Sequence, residues 1–293
     1  MKRLMTLFLI ALLMFAAVGC QPNSGSSKNK SEASSETAAS ETTGVPSSSA
    51  EAATTIYATP DEVSFDDAES AEERLQRLLD EPLSSTKAEI KADTVLQYPE
   101  LPTGCESVAL TIALRSLGFK LEKTDIAENY LIHDEDVMYG YAGDLFEEDG
   151  AGVFPPGLTD TANNYLADQG SDYVALNTMG TDFEDLYKII SAGYPVVLWT
   201  TMYFTPPLIE DYGYFYGEDV YYWYHSEHCV TLTGYDTETG MVTISDPLTG
   251  IVKCKAKDIE DIYNKTGKLS MAIIKGSRQQ NWQADDYDYE IMG

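Results

Sequence analysis

QYPELPTGCESVALTIALRSL, residues 97–117, is the stretch whose reading decides the fold. From Cys105 onward, Val108, Ala109, Ile112, Ala113 and Leu117 recur at spacings of three and four, and Gly118 suits a helix C-cap. The spacing predicts a helix over 105–117. Pro102, Thr103 and Gly104 form a turn, so the helix starts at or beside the thiol. A helix N-terminus favours an anion, which places Cys105 to become a thiolate. That effect is limited. A helix end supplies about 0.3–1 kcal/mol, which lowers a thiol pKa of ~8.5 by about one unit. Full activation requires a second cation, and an imidazolium is the natural one.

Outward from that helix, the chain divides into helices first and strands second. Residues 66–79, 124–130, 159–168 and 182–192 carry helical patterns, the last two ending at Gly170 and Gly193. Pro195 to Trp199 reads as a buried strand. Val230 to Tyr235, Met241 to Ser245 and Gly250 to Lys255 read as strands joined by turns at 236–240 and 247–250. Ile259 to Lys265 reads as a short helix and Leu269 to Lys275 as a last strand. Helices followed by a mostly antiparallel sheet predict an α+β fold, not an alternating parallel one. Residues 212–224 are dense in Tyr, with Phe215 and Trp223. An aromatic wall of the core is the default reading and a stacking platform for a ligand the alternative.

The charge excludes some functions. With 19 basic and 48 acidic side chains, the 293-residue chain carries a formal charge of −29. Such a surface argues against nucleic acid as a partner, because phosphate contacts require a basic face.

The N-terminus has the anatomy of an export signal. Lys2 and Arg3 precede an apolar run over residues 4–18, and Ala17-Val18-Gly19-Cys20 follows. The spacing resembles a bacterial lipobox, with lipid attachment at Cys20; the bland alternative is an ordinary secretory signal with an incidental cysteine. Ser, Thr and Ala supply 21 of the 36 residues over 21–56, with no aromatic, which predicts a flexible stalk. The expected organisation is a lipoprotein signal peptide over 1–19, a disordered linker over 20–56, one domain over 57–276 and a polar acidic tail over 277–293. A lipid on Cys20 would hold the domain at the outer face of a bacterial membrane.

Besides Cys20, the cysteines are Cys105, Cys229 and Cys254. Cys229 and Cys254 fall in neighbouring strand segments and can pair; two buried thiols are the alternative. The three histidines are His133, His225 and His228. His133 lies in an acidic loop and reads as solvated. His225 and His228 are weakly spaced for a metal. His228 opens a strand, and Asp246 ends the next one, so antiparallel pairing can bring them together. A carboxylate there would hold the imidazole's tautomer and support its charge.

Three segments together carry a resemblance: residues 97–117, GYPVVLWT over 193–200, and EHCVTLTGYDTETGMVTISDPLTG over 227–250. The sequence resembles the cysteine peptidase family 39-like domains, relatives of the bacteriocin-processing peptidases in the papain-like superfamily. The resemblance implies a papain-like α+β fold, with a helical half that carries the thiol packed on an antiparallel half that carries His and Asp. It implies Cys105 as nucleophile, His228 as general base and acid, Asp246 as its orienting carboxylate and Gln97 as an oxyanion donor, acting on a peptide or protein substrate without metal or cofactor. Glu106, directly after the thiol, departs from the pattern of the processing peptidases and adds a negative charge. A surface binding module that keeps the fold without catalysis is the second reading.

Overall fold

The computed structural model describes residues 57–60 and 69–277, with the backbone of Gln21 and Pro22. The expected signal peptide, Cys20, most of the stalk and residues 278–293 of the tail lie outside the described residues.

The sheet is antiparallel and runs in the order β1 (Gln21–Pro22), β9 (Gly250–Lys255), β8 (Met241–Asp246), β7 (Glu227–Asp236), β4 (Val196–Thr201), β10 (Ser270–Lys275) and β3 (Tyr173–Asn177). β2 (Lys87–Glu89) pairs with the far end of β7. Among the described residues six helices surround it: α1 (Ala71–Asp80), α2 (Cys105–Ser116), α3 (Asp125–Asn129), α4 (Pro155–Asp168), α5 (Leu186–Ser191) and α6 (Ala256–Lys265). This is the expected α+β architecture.

Alternation along the central strands splits the core in two, because successive side chains leave opposite faces. Val197, Trp199, Cys229 and Met271 join the cluster that includes α2 and α4 residues. Val196, Leu198, Val230 and Ala272 join the cluster that includes α1, α5 and α6 residues. Both faces of β4 are therefore covered, and all six of its residues are buried.

Helix α2 is buried from Cys105 through Leu114. A helix inside the molecule needs apolar residues all round, which is why its sequence shows little polar face. It is pinned to the sheet where the Thr231 hydroxyl donates to the Ala109 carbonyl at 2.8 Å. Leu117 caps it and Gly118 takes φ +96°, as the Gly at that position predicts.

Several expectations shift. Helix α4 begins at Pro155, four residues before the expected Thr159, because Pro155 and Pro156 fill first-turn positions where a missing N–H costs nothing. Helix α5 begins at Leu186, since 182–185 form turns instead. Strands β2 and β3 were not expected. The Tyr-rich stretch walls the core with one face, as the default reading expects: Tyr224 is fully buried, and Tyr214, Tyr216, Tyr221 and Trp223 pack against the core. It is a separate hairpin, β5 (Ile209–Tyr216) and β6 (Asp219–Tyr224). Tyr214 and Trp223 on one face pack against Phe154, with ring centroids 6.3 and 5.7 Å away. Tyr212, Phe215 and Tyr222 are exposed.

The cysteines also differ from one of the two alternatives. β7 and β9 are separated by β8, so Cys229 and Cys254 are not neighbours. Cys229 is a free buried thiol, and Cys254 is buried in β9.

Candidate active site

The turn before α2 sets the thiol. Gly104 is the N-cap and Cys105 the first helical residue. Gln97 ties this turn to the sheet. Its backbone N–H donates to the Pro247 carbonyl at 2.9 Å, and its side-chain Nε2 donates to the Pro102 carbonyl at 2.7 Å. The same residue therefore touches both the cysteine turn and the turn that follows Asp246. Its Oε1 has no partner among the described residues.

Strands β7 and β8 set the second pair. Thr231 is paired with Ser245, so Asp246 at the end of β8 comes beside the beginning of β7. His228 Nε2 and Asp246 Oδ1 are 2.7 Å apart, and both residues are 1% exposed. Asp246 is itself held: Oδ1 accepts from the Leu248 N–H at 2.8 Å and Oδ2 from the Thr249 hydroxyl at 2.5 Å. Burial pushes the Asp246 carboxyl up, but the hydrogen bonds and the imidazole outweigh it, and the net effect is below the ordinary range. The carboxylate fixes Nε2, which leaves Nδ1 as the ring nitrogen free to take a proton. Nδ1 has no hydrogen-bond partner among the described residues.

The thiol is not engaged with that nitrogen. Cys105 Sγ donates to Glu106 Oε2 at 3.2 Å. The adjoining Cys229 N–H, one residue past His228, favours the thiolate. Larger effects oppose it. Burial pushes the Cys105 thiol up, and the Glu106 and Glu227 carboxyls push it further. The about 1 kcal/mol from the helix end does not offset them, so the resting residue is a thiol.

Glu227 was not singled out from the sequence, and Glu106 was read there only as an added charge. One stands directly after the nucleophile candidate and the other directly before His228, and the fold brings them together. Sγ of Cys105 and a carboxylate oxygen from each Glu lie within 4.8 Å of one another, all buried. Glu106 Oε1 accepts from the Val153 N–H at 2.8 Å. Glu227 Oε1 has no partner among the described residues, nor does either carboxyl ion-pair with Lys or Arg there. Burial raises both carboxyls, Glu227 the more strongly, with Glu106 adding to it. Gly152 closes over them at φ +136°. A Cβ there would lie 2.5 Å from Glu106 Oε1 and 3.3 Å from Glu227 Oε2. A neighbouring Glu on each side of the Cys and His was the available sequence signal.

The other histidines stand apart. His225 pairs with Glu210 on the hairpin and is largely exposed, so it makes no site with buried His228. His133 is exposed, as expected, with its ring against Tyr141 at 6.1 Å. Among the described residues no helix is long and apolar enough to cross a membrane.

Comparisons with known proteins converge on one group. Residues 87–271 match the family model described as Peptidase_C39 like family. The uncharacterized protein YvpB of Bacillus subtilis (strain 168) is 27% identical over 169 residues, 52% of this chain and 61% of that protein. The chain thus spans about three fifths of that relative's length. A crystal structure of a Bacillus anthracis protein described as C39-like aligns with a TM-score of 0.53 at 27% identity, covering 64% of this chain and 96% of that one. A double glycine motif protease from an AMS/PCAT transporter aligns with a TM-score of 0.36 at 15% identity, covering 64% and 94%.

Proposed function

The chain belongs to the Peptidase_C39 like family, a family of cysteine peptidase-like hydrolases, and from that premise we propose that it cleaves peptide or amide bonds with Cys105 as nucleophile. The observation that supports this most is the His228–Asp246 pair with Nδ1 unpartnered, one residue from the Cys229 N–H that faces Cys105 Sγ.

In this reading the Cys105 S–H gives its proton to His228 Nδ1. The sulfur then attacks the substrate carbonyl carbon. The C–N bond breaks as His228 returns that proton to the leaving amine, giving a thioester. Water, losing a proton to His228, attacks the thioester carbonyl; the acid leaves and the thiol re-forms. Asp246 holds the ring and offsets the imidazolium charge. The Cys105 backbone N–H and the second Gln97 Nε2–H, with the first spent on Pro102, face the developing oxyanion. We further propose that a lipid on Cys20 holds the domain at the outer membrane surface, with an exported or surface peptide as substrate.

Incubating the full chain with a mixed peptide library and reading new termini by mass spectrometry tests the reaction. Cleavage lost in both Cys105→Ala and His228→Ala is the expected result; cleavage retained in Cys105→Ala overturns it.

A second reading has support in the Cys105–Glu106 hydrogen bond and the exposed rings of Tyr212, Phe215 and Tyr222 on the hairpin: a binding module that retains the fold. Ligand capture that survives Cys105→Ala and fails after Tyr212→Ser and Tyr222→Ser would favour it.

A further inference from the structure

Two fully or nearly fully buried carboxyls beside a thiol require an explanation. Glu106 is 0% exposed, Glu227 8% and Cys105 5%. Buried carboxylates are ordinarily paired with a cation or bound to a metal, and no Lys or Arg among the described residues ion-pairs with either. A second, independent observation points into the same place. The Tyr224 hydroxyl is fully buried and has no hydrogen-bond partner among the described residues. It lies within electrostatic reach of Glu227, Cys105 and Glu106. Glu227 Oε1 is likewise unpartnered.

We propose that Cys105 Sγ, Glu106 and Glu227 form a binding site for one divalent transition-metal ion of the zinc class, which holds the peptidase off by occupying its nucleophile. The spacing suits such an ion. Metal–sulfur and metal–oxygen bonds of about 2.3 and 2.1 Å put neighbouring tetrahedral ligands roughly 3.6 Å apart. Sγ and Glu106 Oε2 are 3.2 Å apart, and the three ligand atoms lie within 4.8 Å. The thiolate selects a borderline-soft ion over Mg²⁺ or Ca²⁺, which prefer oxygen throughout. Three ligands leave a fourth position for water.

Charge favours the exchange. The thiol and any protonated carboxyl lose their protons to solvent, and the ion replaces them with two positive charges. The Val153 N–H at Glu106 Oε1 then orients one ligand from behind. Gly152 seals the site, since any Cβ there would intrude on Glu106 Oε1. The effect on turnover rests on Cys105 as nucleophile; binding itself does not.

The test uses the full chain, freed of metal with a chelator and titrated with Co²⁺ alone. A near-ultraviolet thiolate-to-cobalt charge-transfer band that saturates at one equivalent and is abolished by Zn²⁺ is expected. Cys105→Ser removes the band. Glu106→Gln, which keeps an oxygen for the Val153 N–H, and Glu227→Gln each weaken Co²⁺ binding more than about tenfold. Cys229→Ala retains it. Circular dichroism verifies the fold of each variant. Absence of the band in the wild-type protein overturns the proposal, as does a band that survives Cys105→Ser or undiminished affinity in both Gln variants. Because the readout needs no turnover, a metal-binding protein that cleaves nothing and a peptidase that binds no metal are told apart.

Discussion

His228 Nε2 lies 2.7 Å from Asp246 Oδ1, while Nδ1 of the same ring has no hydrogen-bond partner among the described residues. One carboxylate thereby chooses which nitrogen receives the thiol proton. Asp246→Ala removes the acceptor that makes that choice. It is expected to lower kcat/KM for peptide cleavage by about 10²–10⁴-fold, with KM nearly unchanged. Steady-state kinetics at one pH checks this; an equal rate would assign the pair to structure alone.

The Cys105–Glu106 hydrogen bond makes a prediction of opposite sign. Both burial and the Glu106 charge raise the thiol. Removing the charge in Glu106→Gln leaves burial in place, so the thiol pKa falls without reaching a free value. Alkylation of Cys105 at pH 7 is expected to be faster in the variant than in the wild type. Rates measured from pH 5 to 10, with the labelled residue located by mass spectrometry, decide it.

Glu227 links stability to pH. Its folded pKa stands well above the ordinary 4.5, chiefly through burial. The folded state therefore binds this proton more tightly than the unfolded state, and stability declines as pH rises from 4.5 through the folded value. Glu227→Gln is expected to flatten that decline and to raise Tm at pH 7 in metal-free protein. Thermal unfolding of both proteins between pH 4.5 and 8 checks it; parallel curves would contradict it.

Gly152 is expected to tolerate no side chain. At φ +136°, with Glu106 Oε1 2.5 Å from where a Cβ would stand, Gly152→Ala meets both backbone strain and a carboxylate. A loss of about 1–3 kcal/mol in denaturant unfolding follows. At Gly118, φ +96° with open space around the site, the same change brings strain without the clash and a smaller loss.

Gln97 separates two roles. Gln97→Ala removes an oxyanion donor without touching the imidazole, so kcat is expected to fall by about 10²–10³-fold. Cys105 alkylation should stay as in the wild type, because thiol reactivity does not use that amide. A matching fall in alkylation would instead mean that the Nε2 bond to Pro102 holds the cysteine turn.

What was legible in the sequence was what local rules determine. The Cys105 helix, its Gly118 end and strands β8, β9 and β10 were read from periodicity and turn residues, and β9 came out residue for residue. The His228–Asp246 contact was expected because strand register is local arithmetic once β7 and β8 pair. The hairpin escaped because Tyr alternation looks the same whether a face meets Phe154 or solvent. The carboxyl cluster escaped for another reason. Glu106 and Glu227 are 121 residues apart, and a Glu reads as exposed until its helix proves buried on all sides. The separation of Cys229 from Cys254 depended on sheet order, which β8 between them decides.

The measurement that tests the central claim most directly is covalent capture of Cys105 by a peptide nitrile, which forms a thioimidate only with a thiol whose proton has been taken. Intact-mass analysis of the full chain and of His228→Ala, Asp246→Ala and Cys229→Ala reads it. Reversible labelling at Cys105 is predicted in the wild type and in Cys229→Ala, with labelling lost in His228→Ala and slowed in Asp246→Ala. Equal labelling with and without His228, or none in the wild type, would contradict the account.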